Sequence, residues 1–265
     1  MYTAFQLSTK YLHYYFTASN GKGHGIHSPL VYNFIKNVLT DKKKYPAAEE
    51  IEAQRQILTK NETIIEVEDF GAGSGSIKSN RRAVKAIAKS SLKPKKYAQL
   101  LFRMVKYYQP EVLLELGTSL GITTAYLASG NRAAKVFTCE GSKNIADIAK
   151  NNFKHLGLQN VTLLQGAFQE TLPPLLAAVK KIDFAFIDGN HRKIPTLQYF
   201  EQLLAVAENN SILVFDDIHW SEEMEAAWAI ILQHPAVTIS IDLFFIGIIY
   251  LNQDVKVKQH FKIAY

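Results

Sequence analysis

A single cysteine, Cys139, stands in a chain of 265 residues. One thiol excludes an intrachain disulfide framework and any zinc site built from several cysteines. Long hydrophobic runs are also missing. The longest, such as residues 243–251, fall far short of the ~20 apolar residues that a membrane-spanning helix needs. The first residues, Met1-Tyr2-Thr3-Ala4, show no basic segment leading into an apolar one, so no secretory signal is expected and the cytoplasm is the expected location. The chain has no internal repeat and no low-complexity tract.

What is present is 48% hydrophobic and 20% charged, enough to build a core and to exclude global disorder. The length fits one large α/β domain, or one domain with an appended segment. The net charge of +6 is unevenly spread. Residues 1–110 carry 18 basic and 8 acidic side chains, and residues 111–265 carry 12 and 16. Between residues 71 and 110 there are ten basic residues and no acidic one. That stretch suits an anionic partner, RNA among them, or simply a solvated helix face. The composition suggests a basic N-terminal part joined to a mildly acidic second part.

Residues 1–60 read as mostly helical, at 11–16, at 30–39 after Ser28-Pro29, and at 47–58 after Pro46. Residues 63–68 read as a short strand or an extended loop. Helices are expected at 79–90 and 97–108. In the second, Leu100, Leu101, Met104, Val105 and Tyr108 recur at helical spacing. After Pro110 the pattern becomes strand–helix alternation. Strands at 112–116, 135–139, 161–165, 182–187 and 211–215 alternate with helices at 122–128, 144–156, 172–179, 196–207 and 224–232. Runs 237–242 and 245–251 read as a terminal antiparallel pair. Apolar strands alternating with helices specify an α/β fold with a doubly wound, mainly parallel sheet, Rossmann-like in its winding.

Two glycine loops compete as the cofactor site. The first, Glu68 to Gly75, carries Gly71, Gly73 and Gly75 behind an acid; the second runs Glu115-Leu116-Gly117-Thr118-Ser119-Leu120-Gly121. A nucleotide loop needs a strand before it, a helix after it, and an acid ending the next strand. Only the second meets all three conditions, with Glu140 as the acid. The first is expected to be a lid or a linker. The Gly-x-x-x-Gly spacing departs from the dinucleotide Gly-x-Gly-x-x-Gly, which disfavours NAD and FAD. A cofactor without phosphate, such as S-adenosylmethionine, suits it better.

The run Leu113-Leu114-Glu115-Leu116-Gly117-Thr118-Ser119-Leu120-Gly121 resembles motif I of class I S-adenosylmethionine-dependent methyltransferases, in the form used by the catechol and caffeoyl-CoA O-methyltransferase group. The resemblance spans about residues 94–251, which implies a basic, mainly helical extension or lid over residues 1–93 and a cofactor-binding domain over 94–265, and it extends to related bacterial proteins with an Ile-Asp-Gly-x-His segment, here Ile187 to His191. It implies that Glu115 and Gly117 lie beside the methionine part of the cofactor, with Thr118, Ser119 and Gly121 completing the loop. Glu140, followed by Gly141, would accept the ribose hydroxyls, and Gly166-Ala167-Phe168 would border the adenine. Lys96-Tyr97-Ala98-Gln99 resembles the segment that closes over the cofactor. Asp188, Asp216 and Asp217 stand where that group keeps its metal-binding residues, and Asp188 would also border the cofactor. Two departures stand out. Asp217 replaces an Asn, and His191 stands where those enzymes carry a Lys.

The acids can be read without the family. Asp188 follows one expected strand, and Asp216 and Asp217 follow another, so the ends of a parallel sheet would gather them. Three close carboxylates repel unless a cation such as Mg²⁺, Mn²⁺ or Ca²⁺ intervenes. Alternatively Asp188 and Asp217 cap helices. His191 is a candidate catalytic base beside Asp188, because imidazole titrates near neutrality. The alternative is a histidine bonded to its own loop. His219 and Trp220 are candidates for lining an acceptor pocket. The segment Gly23-His24-Gly25-Ile26-His27 is expected to be a substrate-side lip or a plain turn. Tyr11, Tyr14, Tyr15 and Phe16 are expected to pack in a core or an interface. The leading expectation is methyl transfer to the hydroxyl oxygen of a small molecule, with or without the assistance of a metal. The alternatives are an RNA (tRNA) methyltransferase and a non-catalytic cofactor-binding protein. No membrane partner is expected, and a homodimer is compatible with the sequence.

Overall fold

The computed structural model describes residues 1–19, 21, 23, 26–68 and 80–265. In chain order its helices are α1 (Ala4–Thr17), α2 (Pro29–Phe34), α3 (Pro46–Lys60), α4 (Val84–Ser91), α5 (Lys95–Tyr108), α6 (Ile122–Gly130), α7 (Lys143–His155), α8 (Phe168–Val179), α9 (Lys193–Leu204) and α10 (Glu222–Gln233). A π-helical turn, Ile35–Leu39, continues α2. The strands are β1 (Ile64–Glu66), β2 (Arg81–Ala83), β3 (Val112–Leu116), β4 (Lys135–Glu140), β5 (Val161–Gln165), β6 (Ile182–Ile187), β7 (Ala207–Asp216), β8 (Ile239–Asp242), β9 (Ile246–Leu251) and β10 (Gln259–Lys262). Among the described residues no helix is long and apolar enough to cross a membrane.

The chain divides into two compact units, Lys42–Ala178 and Met1–Asp41 with Val179–Tyr265. The division does not fall at residue 93, where the resemblance begins. The reason is packing. α3 lies against α4 and α6 and so belongs with the mid-chain unit. In that unit β4 pairs in parallel with both β3 and β5. Every residue of β3 is buried, as a strand covered on both faces must be. Cys139 is buried on β4, and burial pushes its thiol up to about 11. α5 turns Leu100, Leu101, Met104 and Val105 inward, the stripe that its sequence spacing predicts.

In the other unit β6 and β7 pair in parallel, β9 runs antiparallel to both β7 and β8, and β10 lies parallel to β8. The antiparallel pair expected from the two terminal runs is therefore β8 and β9. β10 was not anticipated. Its residues Gln-His-Phe-Lys alternate exposed and half-buried at a sheet edge, with too little apolar content to stand out in the sequence. β2 was also missed, because its Arg-Arg-Ala reads as the start of α4. It is held by antiparallel pairing to β1. α1 starts earlier than the aromatic run suggested. Thr3 caps it in a capping box with Gln6, two orphan amides satisfied by two side chains.

Candidate active site

The glycine loop joins β3 to α6 in the mid-chain unit. Glu115 is wholly buried, and its Oε2 accepts hydrogen bonds from Thr124 on α6 and from Thr138 on β4, the latter at 2.6 Å. Thr138 gives its proton to Glu115, so Thr118 donates to Thr138 at 2.6 Å. This chain of hydroxyls holds Oε2 of a buried carboxylate and fixes the floor of the loop. The Gly117 and Thr118 amides donate to the Cys139 carbonyl at 3.1 and 3.2 Å. Gly117, Ser119 and Gly121 all have positive φ, at 106°, 48° and 80°. At Gly121 a Cβ would lie 2.5 Å from the Phe153 ring, so only glycine lets α6 and α7 approach this closely.

Glu140 closes the loop from the end of β4. Its Oε2 accepts the Ser119 amide at 2.8 Å and its Oε1 the Ser142 amide at 2.9 Å. Burial raises this carboxyl, and the amides of Ser142, Ser119 and Gly141 pull part of the way back. The Glu140 carbonyl accepts the Gly166 amide at 2.9 Å, and the Gln165 side chain donates to the Gly141 carbonyl at 3.2 Å. Gly166, at φ 141°, leads into Ala167 and into Phe168, the first residue of α8. The mid-chain unit thus brings together Glu115, Gly117, Thr118, Ser119, Gly121, Glu140, Gly141, Gly166 and Ala167 at the ends of β3, β4 and β5. A cleft of ≈ 330 Å³ lined by Glu66, Val67, Glu68, Asn80, Ser142, Lys143 and Asn144 adjoins Ser142. The sequence reading did not find it, because β1 and β2 meet there only through long-range pairing. Lys96, on the first turn of α5, is pulled down by burial.

The other unit holds the acids. Asp188, His191 and Asp216 each place one ligand atom within 4.8 Å of the others'. His191 Nε2 lies 3.5 Å from Asp188 Oδ1. Asn190 and His191 have positive φ, 67° and 21°, and Asn190 is pinned to Tyr199 at 3.2 Å and to Arg192 at 2.8 Å. The group holds Asp188 and Asp216, two of the three acids expected to gather, together with His191, the expected base. Asp217 sits in a turn at φ 54°, its amide donating to Phe245 at 2.7 Å and its carbonyl accepting from Trp220 at 2.9 Å. Helix capping does not account for these acids. The cap residue of α9 is Arg192, and that of α10 is Ser221, whose hydroxyl accepts the Met224 amide.

His219 does not serve as an open pocket wall. Its Nδ1 lies 3.0 Å from Glu225 and its Nε2 2.9 Å from Asp242, while the ring stacks on Phe244. Tyr11 and Tyr14 of α1 also pack on Phe244. His27 is exposed, while His24 and Gly25 lie outside the described residues, as do Gly71, Gly73 and Gly75 of the first glycine loop. Of the basic stretch, Lys85 pairs with Glu62 and Lys106 sits over the Tyr45 ring.

Residues 114–218 match the family model of a methyltransferase domain. O-methyltransferase imqG of Aspergillus flavus is 31% identical over 111 residues, covering 40% of this chain and 44% of that protein. Catechol O-methyltransferase of Bos taurus is 30% identical over 128 residues, covering 46% and 47%. The chain thus spans less than half the length of these curated relatives. The crystal structure of an O-methyltransferase from Bacillus cereus in complex with SAH superposes with a TM-score of 0.54 at 20% identity, over 83% of this chain and 97% of that one. That likeness establishes the doubly wound α/β fold expected from the sequence. The glycine loop and the acid ending β4 thus lie within the segment that is similar to a methyltransferase domain.

Proposed function

We propose that the protein is an S-adenosylmethionine-dependent O-methyltransferase acting on a hydroxyl of a small molecule. The observation that carries the cofactor half is the Glu140 carboxylate, held by the Ser119 and Ser142 amides at the mouth of a glycine loop. An ionised carboxylate accepts about four donors, so it has capacity for the two ribose hydroxyls as charge-assisted partners. Gly117 and Gly121 let the backbone approach the cofactor without a side chain in the way. S-adenosylmethionine, when bound, supplies an electrophilic methyl group on its sulfonium. The transfer forms an oxygen–carbon bond, breaks the sulfur–carbon bond and releases S-adenosylhomocysteine.

For the acceptor half, the donor set of Asp188, His191 and Asp216 suits a hard or borderline divalent cation. Asp188 and Asp216 would hold it, and a bound cation lowers the pKa of an acceptor hydroxyl. His191 would take the hydroxyl proton at Nδ1, with its Nε2–H turned toward Asp188 Oδ1, 3.5 Å away, which orients the ring. The names of the relatives support oxygen as the acceptor atom.

The test is calorimetric. S-adenosylhomocysteine is expected to bind the wild type with micromolar or tighter affinity, and Glu140→Ala to weaken it at least tenfold, about 1.4 kcal/mol. No detectable binding to the wild type would reject the reading. A screen for methyl release over phenols and catechols, with and without Mn²⁺, then identifies the acceptor class. Activity on RNA alone would replace the small-molecule reading with the nucleic-acid one.

A further inference from the structure

α1 is apolar on two opposite faces. Its inward face uses Leu7, Lys10, Tyr11 and Tyr14, spaced as one helical stripe. Tyr14 is 4% exposed and Tyr11 lies 5.1 Å from the Phe244 ring. The opposite face carries Phe5, Thr9, Leu12 and Phe16, again at helical spacing. Phe5 and Phe16 are each 81% exposed and Leu12 is 56% exposed. The one charged side chain of the helix, Lys10, is used inward, 3.0 Å from Glu225. A surface helix ordinarily turns its charged face to water, and a helix apolar all round is one that is covered on both sides.

We propose that the Phe5–Leu12–Phe16 face of α1 is a self-association surface, and that its occupant is α1 of a second copy of this chain. Three properties of the face favour that occupant. It carries no charge, so it offers nothing to an acidic or basic partner and nothing that repels its own copy; it likewise lacks the Lys and Arg by which helices settle on anionic lipid. It is also self-complementary. In an antiparallel pair about a two-fold axis, Phe5 meets Phe16 of the partner subunit and Leu12 meets the small Thr9 of the partner subunit, a large residue over a small one at each step. The stripe is about 16 Å long at ~1.5 Å per residue. With Tyr15 beside it, it offers roughly 600 Å² per copy at the usual size of aromatic side chains. The pair buries about 1,200 Å², the lower end of stable interfaces.

Sedimentation velocity on the full chain tests this. The wild type is expected to sediment at twice its 29.9 kDa mass. Phe5→Glu and Phe16→Lys are expected each to raise the dissociation constant by about tenfold or more, with unchanged far-UV circular dichroism because both side chains face water. The double variant Phe5→Glu/Phe16→Lys places opposite charges across the two-fold axis and is expected to regain the dimer. A wild type that stays monomeric at about 100 µM overturns the proposal. So does a dimer that both single variants leave intact, a double variant that fails to recover, or a monomer that instead co-sediments with anionic phospholipid vesicles.

Discussion

Gln54 and Asn152, 98 positions apart in sequence, are joined by a 2.8 Å hydrogen bond from Gln54 Nε2 to Asn152 Oδ1. Asn152 then donates from Nδ2 to the Leu120 carbonyl, also at 2.8 Å. Both side chains are buried. The glycine loop is therefore held from behind by a side chain on α7, which is itself held by α3. A helix that the sequence assigned to an extension or lid is part of the scaffold of the glycine loop.

Replacing Asn152 tests that link. Asn152→Leu keeps the volume and removes both polar contacts, leaving the Gln54 amide and the Leu120 carbonyl buried without partners. Each such loss costs about 1–3 kcal/mol. We expect a clear fall in the urea midpoint and a weaker affinity for S-adenosylhomocysteine. Asn152→Asp keeps the acceptor for Gln54 and loses the donor to Leu120, so cofactor affinity should fall more than stability. A variant with wild-type affinity would show that Leu120 needs no such tether.

Gly121→Ala meets two obstacles, a φ of 80° and a Phe153 ring carbon 2.5 Å from the new methyl. The expected loss is about 1–3 kcal/mol for the overlap, with a further ~1 kcal/mol for the backbone. Adding Phe153→Ala should relieve the overlap and leave the backbone strain, while opening its own cavity. The two changes should therefore be non-additive in a double-mutant cycle. Strict additivity in urea denaturation would contradict the close approach of α6 and α7.

Why some of this was legible in the sequence and some not follows from where the determining contacts lie. β3, β4 and β6 are short apolar runs with helices between them, and their burial depends on local pattern. Gly117, Gly121 and Glu140 sit at fixed offsets from β3, so the loop chemistry could be read directly. The tether from Gln54 to Asn152 depends on two helices meeting, and neither residue departs from an ordinary helical polar position. His219 was read as a pocket residue because it follows two aspartates. Its partners Glu225 and Asp242 come from α10 and β8, which no local pattern joins. His191 was legible as a candidate base, but its place with Asp188 and Asp216 depends on the positive φ at residues 190 and 191.

The His219 contacts make stability depend on pH. Burial alone would push this imidazole down, but its hydrogen bonds to Asp242 and Glu225, and their charges, outweigh that and raise it above the ordinary value. A raised folded value means that the folded state binds the proton more tightly than the unfolded one. The resulting stability is fully present below about pH 6.5, the ordinary histidine value, and is lost as pH rises through the raised folded value. Lys10 and Tyr2 of the N-terminal segment also bind Glu225, at 3.0 and 2.6 Å, so α1 should loosen in the same range. Thermal midpoints measured from pH 5 to 9 should fall on the alkaline side for the wild type, and His219→Gln should flatten that fall. Parallel curves would sink the assignment.

Asp188, His191 and Asp216 are assigned separable roles, and three variants distinguish them. Asp188→Asn and Asp216→Asn each remove a hard anionic oxygen donor, so both should raise the Mn²⁺ concentration needed for half-maximal activity by tenfold or more, about 1.4 kcal/mol. His191→Asn removes the imidazole to which the proton transfer is assigned in the proposed function, so kcat should fall by about 10²–10⁴-fold, and the Mn²⁺ requirement should stay near that of the wild type. The alkaline dependence of kcat should also shift, because the acceptor would then lose its proton to solvent. S-adenosylhomocysteine affinity, assigned to Glu140 and the glycine loop, serves as the control and should stay unchanged in Asp216→Asn and His191→Asn, while Asp188, expected to border the cofactor as well, is compared by its Mn²⁺ requirement alone. If His191→Asn instead raises the Mn²⁺ requirement as much as the aspartate variants do, His191 is a ligand of the ion and the proton must leave by another group.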